Sequence, residues 1–458
     1  MSKRLILTIL VIAALMFSFT PAAAGSPKTM IGINVVLKTD VTDAILADLG
    51  THGTVRDVVY EIKAITLQAR AGELATIQAL PYVAAANPDA ERNGAPVDTV
   101  AATDFGDGFG TWDLDVINVT NPGPDNRQVT EDGTGVYVAV LDTGLLDSWR
   151  QYFPQERIAT QYAKAFGGGG GDNGNVSEPT NKWEHDQNSH GTHVTSTILG
   201  YQFGVNKING VAPMATIIPV KVLNQNGSGW SSVIARGIVY VADLKDGPLA
   251  DYPVVINMSL GGSVLDSMEK AAIDYAVEHG VIIVASAGNR GTAGMGYPGA
   301  YQPVISVAAS GWVGEWYPGM SSNWWYALND PDPNNVAYYY ITDFSSRAKP
   351  GQDLDVAAPG SWVLGPYQVN SGQLSYYYLG GTSMASPHVA GIVALMVQKQ
   401  PSLDATAVEA ILTGAAIPLP AGSRTIYNPD GSTHVVSWGA DATGSGLITA
   451  DAALNAIP

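Results

Sequence analysis

The chain has no cysteine and only seven histidines, His52, His185, His190, His193, His279, His388 and His434. A cysteine nucleophile is excluded, and the search for a general base is short. One serine stands out. In "YYYLGGTSMASPHVAGIVALMV" (376–397), Gly380 and Gly381 break the chain, and Ser383 sits where a long apolar helix must begin. A serine there suits a helix cap. It equally suits a nucleophile, because the same place supplies an unpaired backbone N–H and the positive end of the dipole. His388, five residues on, is a poor base for it. Five helical residues turn through about 500°, which leaves the two side chains roughly 140° apart. His388 reads instead as a buried histidine with a satisfied hydrogen bond.

A better source of a base is "HDQNSHGTHVTSTILG" (185–200), with His190 and His193 three apart at a helix start. Two histidines on one helical face could bind zinc, but the glutamate of a zincin motif and an obvious third ligand are missing. The alternative places His190 in a cleft and His193 inside, with Gly191 letting another segment approach. Asp142 ends the apolar strand "VYVAVLD" and precedes Thr143-Gly144. A buried acid needs a partner. That partner is either its own turn or a histidine N–H whose tautomer the carboxylate would fix. "DTG" also occurs in aspartic proteases, which need a second copy or a dimer; the sequence has no second copy. Asn289 closes "VASAGN". It reads as a turn residue or as a side-chain amide donor that, with the Ser383 N–H, would hold an oxyanion.

These groups need a scaffold. Apolar residues make up 46% of the 458, enough for a large core rather than a disordered chain. Acids outnumber bases 41 to 23, a net charge of −18. That balance argues against nucleic acid and anionic membrane as partners. Lys3 and Arg4, the apolar run Leu5–Phe19 and the small residues Ala22–Ala24 have the form of a signal peptide over 1–24. Export without disulfides puts the burden of stability on the core and on bound ions. Residues 29–90 predict a compact α+β unit: strand "MIGINVVLK", helix "DVTDAILADLG" with Asp40 as N-cap and Gly50 as stop, strand "TVRDVVYEI", helix "RAGELATIQAL" and strand "YVAAANP". A Gly/Asp/Thr-rich stretch from about 90 to 110 reads as a linker.

From about Thr111 the rhythm changes. Apolar runs of strand length at 136–142, 215–223, 253–260, 281–288 and 303–309 alternate with helical segments. That pattern predicts an α/β fold with a mainly parallel central sheet and helices on both faces. In such sheets functional residues gather at the carboxyl ends of strands, where Asp142, Ser259 and Asn289 lie. "GGGGGDNGN" (167–175) reads as a flexible loop. The segment 312–343, with four of the ten tryptophans, reads as a β-rich surface excursion with its own aromatic cluster, or as a substrate-binding rim.

Taken in order, "VAVLDTG", "NSHGTHV", "GVAP", "NMSLGG", "SAGN", "YPG", "VAAPG" and "GTSMASPHVAG" resemble the subtilisin-like serine proteases over roughly 111–455. The resemblance implies a triad of Asp142, His190 and Ser383, with Asn289 as oxyanion donor. It implies that Gly227-Ser228-Gly229 and Ser259-Leu260-Gly261 clamp an extended substrate. It also implies a primary pocket near Gly296, and a further apolar pocket walled by Trp230 and Leu260. Glycine at 296 favours a large apolar residue on the acyl side of the cut bond, the P1 position; Arg290 would also admit an acidic one. The 29–90 unit resembles the family's propeptide, an intramolecular chaperone and inhibitor. The expected layout is then signal peptide 1–24, propeptide 25–100 with its boundary within 90–111, and catalytic domain 101–458.

Three readings follow. The first is a secreted, monomeric, self-processing endopeptidase of broad specificity acting on polypeptides. The second is an exopeptidase of the same family with a lid from 312–343. The third, from a different class, is a catalytically silent secreted binding protein. No cofactor is expected for the chemistry. Structural calcium suits Asn- and Asp-bearing loops such as "NDPDPNN". Its sites cannot be carried over one by one, because "LLDSWRQYFPQERI" and "YQFGVNKINGVAP" match the family's segments only loosely.

Overall fold

A computed structural model describes residues 27–102, 111–121, 126–169, 176–204, 206–318, 334–370, 372 and 374–458. The signal-peptide reading (1–24), residues 170–175 of the glycine-rich loop and 319–333 of the aromatic segment lie outside the described residues.

The N-terminal unit contains β1 (Met30–Leu37), α1 (Asp43–His52), β2 (Gly53–Val59), β3 (Ala64–Arg70), α2 (Leu74–Gln78) and β4 (Val83–Pro88). Its sheet is antiparallel in the order β2-β3-β1-β4. β3 is absent from the pattern expected from sequence. The hairpin before it turns through Lys63 at φ 52° rather than through glycine or asparagine, so no punctuation announces it. Thr42, not Asp40, caps α1 by accepting from the Ile45 N–H; Asp40 pairs with Lys63 instead. The helix runs through Gly50 to His52 and leads straight into β2. Period-two alternation gives the sheet two buried faces. Ile33, Val35 and Leu67 pack with Leu49 of α1 and Ile77 of α2, while Asn34, Val36 and Thr66 face the next domain.

Over its described residues, 90–102, the expected linker is not loose. It contains β5 (Glu91–Asn93) and β6 (Asp98–Ala101), each paired with a strand of the large domain.

The large domain is built on β7 (Tyr137–Asp142), β8 (Lys164–Ala165), β9 (Thr216–Lys221), β11 (Val254–Met258), β12 (Val281–Ser286), β13 (Ile305–Trp312), β14 (Tyr339–Ile341) and β15 (Val356–Pro359). A short helix, α3 (Trp112–Val116), precedes the sheet, and a short strand, β10 (Ser228–Trp230), stands apart from it. The order is β14-β13-β12-β11-β7-β9-β8, with β15 also on β13. Every pairing is parallel except β13 with β14. Alternate residues feed two cores. Val138, Val140, Val255 and Val284 pack with α4 (His190–Leu199) and α7 (Thr382–Lys399). Ala139, Leu141, Ile256 and Ile283 pack with α5 (Ser231–Asp246) and α6 (Ser267–Glu278). Strands buried on both faces explain the continuous apolar runs in the sequence. α7 is buried all round from Thr382 to Val397, as its apolar sequence requires.

Part of the aromatic segment is tied to the domain that carries it. Trp316 packs edge-on against Trp362 and Tyr378 of the domain beneath it.

Candidate active site

Asp142 is the last residue of β7, and His190 is the first of α4. Both are fully buried, and His190 Nδ1 lies 2.8 and 2.9 Å from the two Asp142 carboxylate oxygens. The Thr143 N–H also donates to Asp142 Oδ1 at 2.6 Å. A carboxylate against Nδ1 fixes the proton there and leaves Nε2 as the lone-pair nitrogen. His190 Nε2 is buried and has no hydrogen-bond partner. An imidazole with one oriented nitrogen and one unspent nitrogen has the geometry a general base needs.

The turn before His190 is held by groups that sequence reasoning passed over. Asp186 accepts from the Asn188 and Ser189 N–H groups and from Thr143 Oγ1. Thr143 Oγ1 in turn accepts from the Gly191 N–H, closing a bridge between the end of β7 and the start of α4. Ser189 sits at φ 76°, unusual for a residue with a side chain, and its hydroxyl is tied to the Gln368 backbone. Burial pushes the Asp186 carboxyl up to about 6. Its signal in the sequence was the "DQNS" run, an Asx-type turn pattern. Gly191 is needed because a Cβ there would come within 2.4 Å of the Gly144 carbonyl. His193 is buried in the core against the Val363 carbonyl, and burial pushes it down to about 3.

Ser383 is the second residue of α7 and is 2% exposed. Its Oγ donates to the Ser259 carbonyl at 3.2 Å rather than to His190. Pro387, four residues on, has no N–H to give the Ser383 carbonyl. The Ser259 hydroxyl donates there instead, at 2.8 Å, and is itself held by Asn257. Asn289 lies beside this helix start. Its Oδ1 accepts from the Thr382 N–H and hydroxyl at 2.9 and 2.8 Å. With the oxygen spent, the amide nitrogen is turned the other way, 3.7 Å from where a Gly381 Cβ would be.

The remaining candidate residues line one cleft, and the chain itself runs through it. β5 pairs antiparallel with β10, with Ser228 opposite Asn93 and Gly229 opposite Arg92. On its other side Asn93 exchanges both backbone hydrogen bonds with Gly261, each 3.0 Å. The Gly94 N–H donates to the Gly227 carbonyl. A Cβ on Gly94 would lie 3.4 Å from His190 Cε1 and 2.8 Å from the Ser259 carbonyl. Beyond, the Val97 N–H donates to the Gly380 carbonyl, and β6 pairs with β16 (Tyr376–Gly380), the strand leading into α7. Gly296 lies against Gly261 and Gly262. Trp230 is half-buried, Arg290 is exposed, and Leu260 is 1% exposed in the core below the cleft.

The N-terminal unit supplies caps to the helices beside this cleft. Asp89 accepts from the Ser232 N–H and hydroxyl at the start of α5, and Asn87 accepts from the Ser267 N–H at the start of α6. Elsewhere, Asp353, Asp355 and Glu409 bring carboxylate oxygens within 4.8 Å of one another. Hard oxygens suit calcium, but three carboxyls give three of the six to eight it takes. Asp355 also spends its Oδ2 on Ser306.

Residues 133–439 match the Subtilase family of peptidases. The chain belongs to that family. It is 30% identical over 434 residues to a thermostable alkaline protease of Halalkalibacterium halodurans, covering 95% of this chain and 98% of that one. It is 33% identical to thermitase of Thermoactinomyces vulgaris over 58% of this chain and 77% of that one. Its fold is similar to that of fervidolysin from Fervidobacterium pennivorans, described as a keratinolytic enzyme related to subtilisin. The TM-score is 0.64 at 24% identity, over 93% of this chain and 61% of that one. The subtilase chain is thus a subtilisin-like serine peptidase with the α/β architecture its sequence pattern predicts. Among the described residues, no helix is long and apolar enough to cross a membrane.

Proposed function

We propose that this subtilase is a secreted endopeptidase made as a self-inhibited precursor. The observation that carries the reading is the peptide in the cleft: residues 91–94 lie as an added strand between Gly227–Trp230 and Gly261, beside His190. Main-chain pairing of this kind binds extended polypeptide with little demand on sequence. The chain continues at both ends of the cleft, into β4 upstream and β6 downstream. A cleft open at both ends favours an endopeptidase over an exopeptidase.

In this reading Ser383 Oγ swings from the Ser259 carbonyl to attack the substrate carbonyl, and His190 Nε2 takes its proton. Asp142 keeps the Nδ1 proton in place and stabilises the imidazolium. The Ser383 N–H and the Asn289 amide hold the oxyanion. Collapse breaks the C–N bond, His190 returns the proton to the leaving amine, and water then hydrolyses the acyl-enzyme by the same route. Gly296 beside Gly261 leaves room for a large apolar P1 residue. A peptide library cut only after Lys or Arg would overturn that preference.

Residues 25–100 act as the propeptide, removed by self-cleavage within 90–111. Three peptide bonds lie between the anchors at Gly94 and Val97, and Pro96 contributes its ring nitrogen to the middle one. A proline there offers no N–H and makes a poor leaving group, so Pro96→Ala should mature faster. The central test is Ser383→Ala. It should accumulate uncut precursor lacking only its signal peptide, and a fluorophosphonate that labels the wild type should fail to label it. Normal processing of this variant would sink the self-cleavage reading. Structural calcium, if bound, should show as a melting temperature that falls on chelation.

A further inference from the structure

Arg92 is fully buried although it lies on β5 in an otherwise open cleft. Its guanidinium meets the Glu269 carboxylate with both forks: Nε donates to Oε1 at 3.0 Å and Nη2 donates to Oε2. Nη2 also reaches the Val264 carbonyl at 3.0 Å, and Nη1 bonds to the Glu91 carbonyl. Gly262 makes the floor, since a Cβ there would fall 2.6 Å from Nη1. Every group in this cage except Glu91 belongs to the large domain. Among the described residues, Arg92 is the only cation hydrogen-bonded to the Glu269 carboxylate. Asp266, three residues earlier, caps α6 and accepts from Ser231 within the large domain, while its other partners, Asn34 and Asn87, belong to the N-terminal unit. When the N-terminal unit leaves, Glu269 is left in the cleft as a carboxylate with no counter-charge. A charge so placed favours whatever cation a substrate can return to it.

We propose that Glu269, the Val264 carbonyl and Gly262 form a selectivity subsite for an arginine side chain of the substrate. The arginine would occupy the position one residue before the one that pairs with Gly261. The inference rests on the reading of this cleft as the protease's substrate site. The planar fork with two N–H groups on one carboxylate and one on a carbonyl fits arginine; lysine has one point charge for the same cage. The subsite would select along the strand, independently of the pocket beside Gly296. Arg92 would then be the enzyme's own preferred residue, displayed by its propeptide.

The test uses the mature enzyme and two internally quenched peptide series that differ only at this position, Arg, Lys, Met or Glu. It is paired with mass-spectrometric mapping of cuts in a denatured protein mixture. Arginine should be enriched at a single position upstream of the cut. The kcat/KM for Arg over Met should be about 10- to 100-fold, with Lys between them and Glu lowest. In Glu269→Gln the Arg-to-Met ratio should collapse towards one. Equal rates for Arg and Met in the wild type would overturn the subsite while leaving the protease reading intact; that comparison needs no variant, so a folding failure of Glu269→Gln does not rescue the idea. An unchanged ratio in a folded Glu269→Gln would overturn it equally. Failure to cut any peptide, with no fluorophosphonate labelling, would overturn both readings.

Discussion

Among the described residues, two buried histidine–aspartate pairs have the same contact distance. His190 meets Asp142 at 2.8 Å and His388 meets Asp113 at 2.8 Å, and neither histidine is exposed. The difference is in the second nitrogen. His388 Nδ1 is bound to the Met384 carbonyl one turn back in α7, so both its nitrogens are spent within the core. His190 Nε2 has no partner and lies beside the cleft that holds Gly94. A His–Asp pair is therefore no signature of catalysis in itself; the unspent nitrogen is what can take a proton.

The comparison is broken most directly by removing each histidine. His190→Ala should lower kcat/KM on the order of 10⁴- to 10⁶-fold, the scale of triad loss in subtilisin, with little change in unfolding midpoint. His388→Ala should do the reverse: about 3–5 kcal/mol of stability lost by orphaning buried Asp113, with kcat per folded molecule within a few-fold of wild type. Titrated active sites and urea denaturation on the Ser383→Ala background separate the two effects. Equal activity losses from both would dissolve the distinction.

The carboxylates sharpen it. Asp142→Asn should cost about 10⁴ in kcat by presenting the wrong tautomer, whereas Asp113→Asn should register in melting temperature and leave the pH–rate profile unmoved. Asn289→Ala should cost about 10²- to 10³-fold in kcat with KM little changed, because an oxyanion donor acts mainly in the transition state. A rise in KM alone would return Asn289 to the turn-residue reading.

Much of this was legible in the sequence. The alternation of buried strands and helices, the strand-end position of Asp142 and the helix-start position of Ser383 follow from local pattern. So did the divergence of His388 from Ser383, from helical geometry alone. What stayed hidden depends on contacts between distant segments. The β3 strand was masked by a hairpin turning through Lys63, and the linker looked featureless because β5 and β6 take their order from the cleft walls. Glu269 lies in an ordinary amphipathic helix, and nothing in its own neighbourhood points 177 residues back to Arg92.

A third kind of buried acid tests the physics beneath the comparison. Glu315 is 2% exposed and has no histidine against it. Its carboxyl meets the Tyr340 hydroxyl at 2.7 Å, the Ser361 hydroxyl at 2.8 Å and the Trp312 N–H at 3.0 Å. Burial pushes it up to about 7 from an ordinary 4.5. A raised carboxyl favours the protonated folded state. Its contribution is therefore full below about pH 4.5 and is lost as pH rises to about 7. Across that window the stability difference between wild type and Glu315→Gln should shift against the wild type by on the order of 3 kcal/mol. Urea midpoints at pH 5 and pH 8, on the Ser383→Ala background to prevent autolysis, read this directly. Parallel pH curves for the two proteins would mean that the three hydrogen bonds compensate for burial, and that a lone buried carboxylate here is as comfortable as one held by histidine.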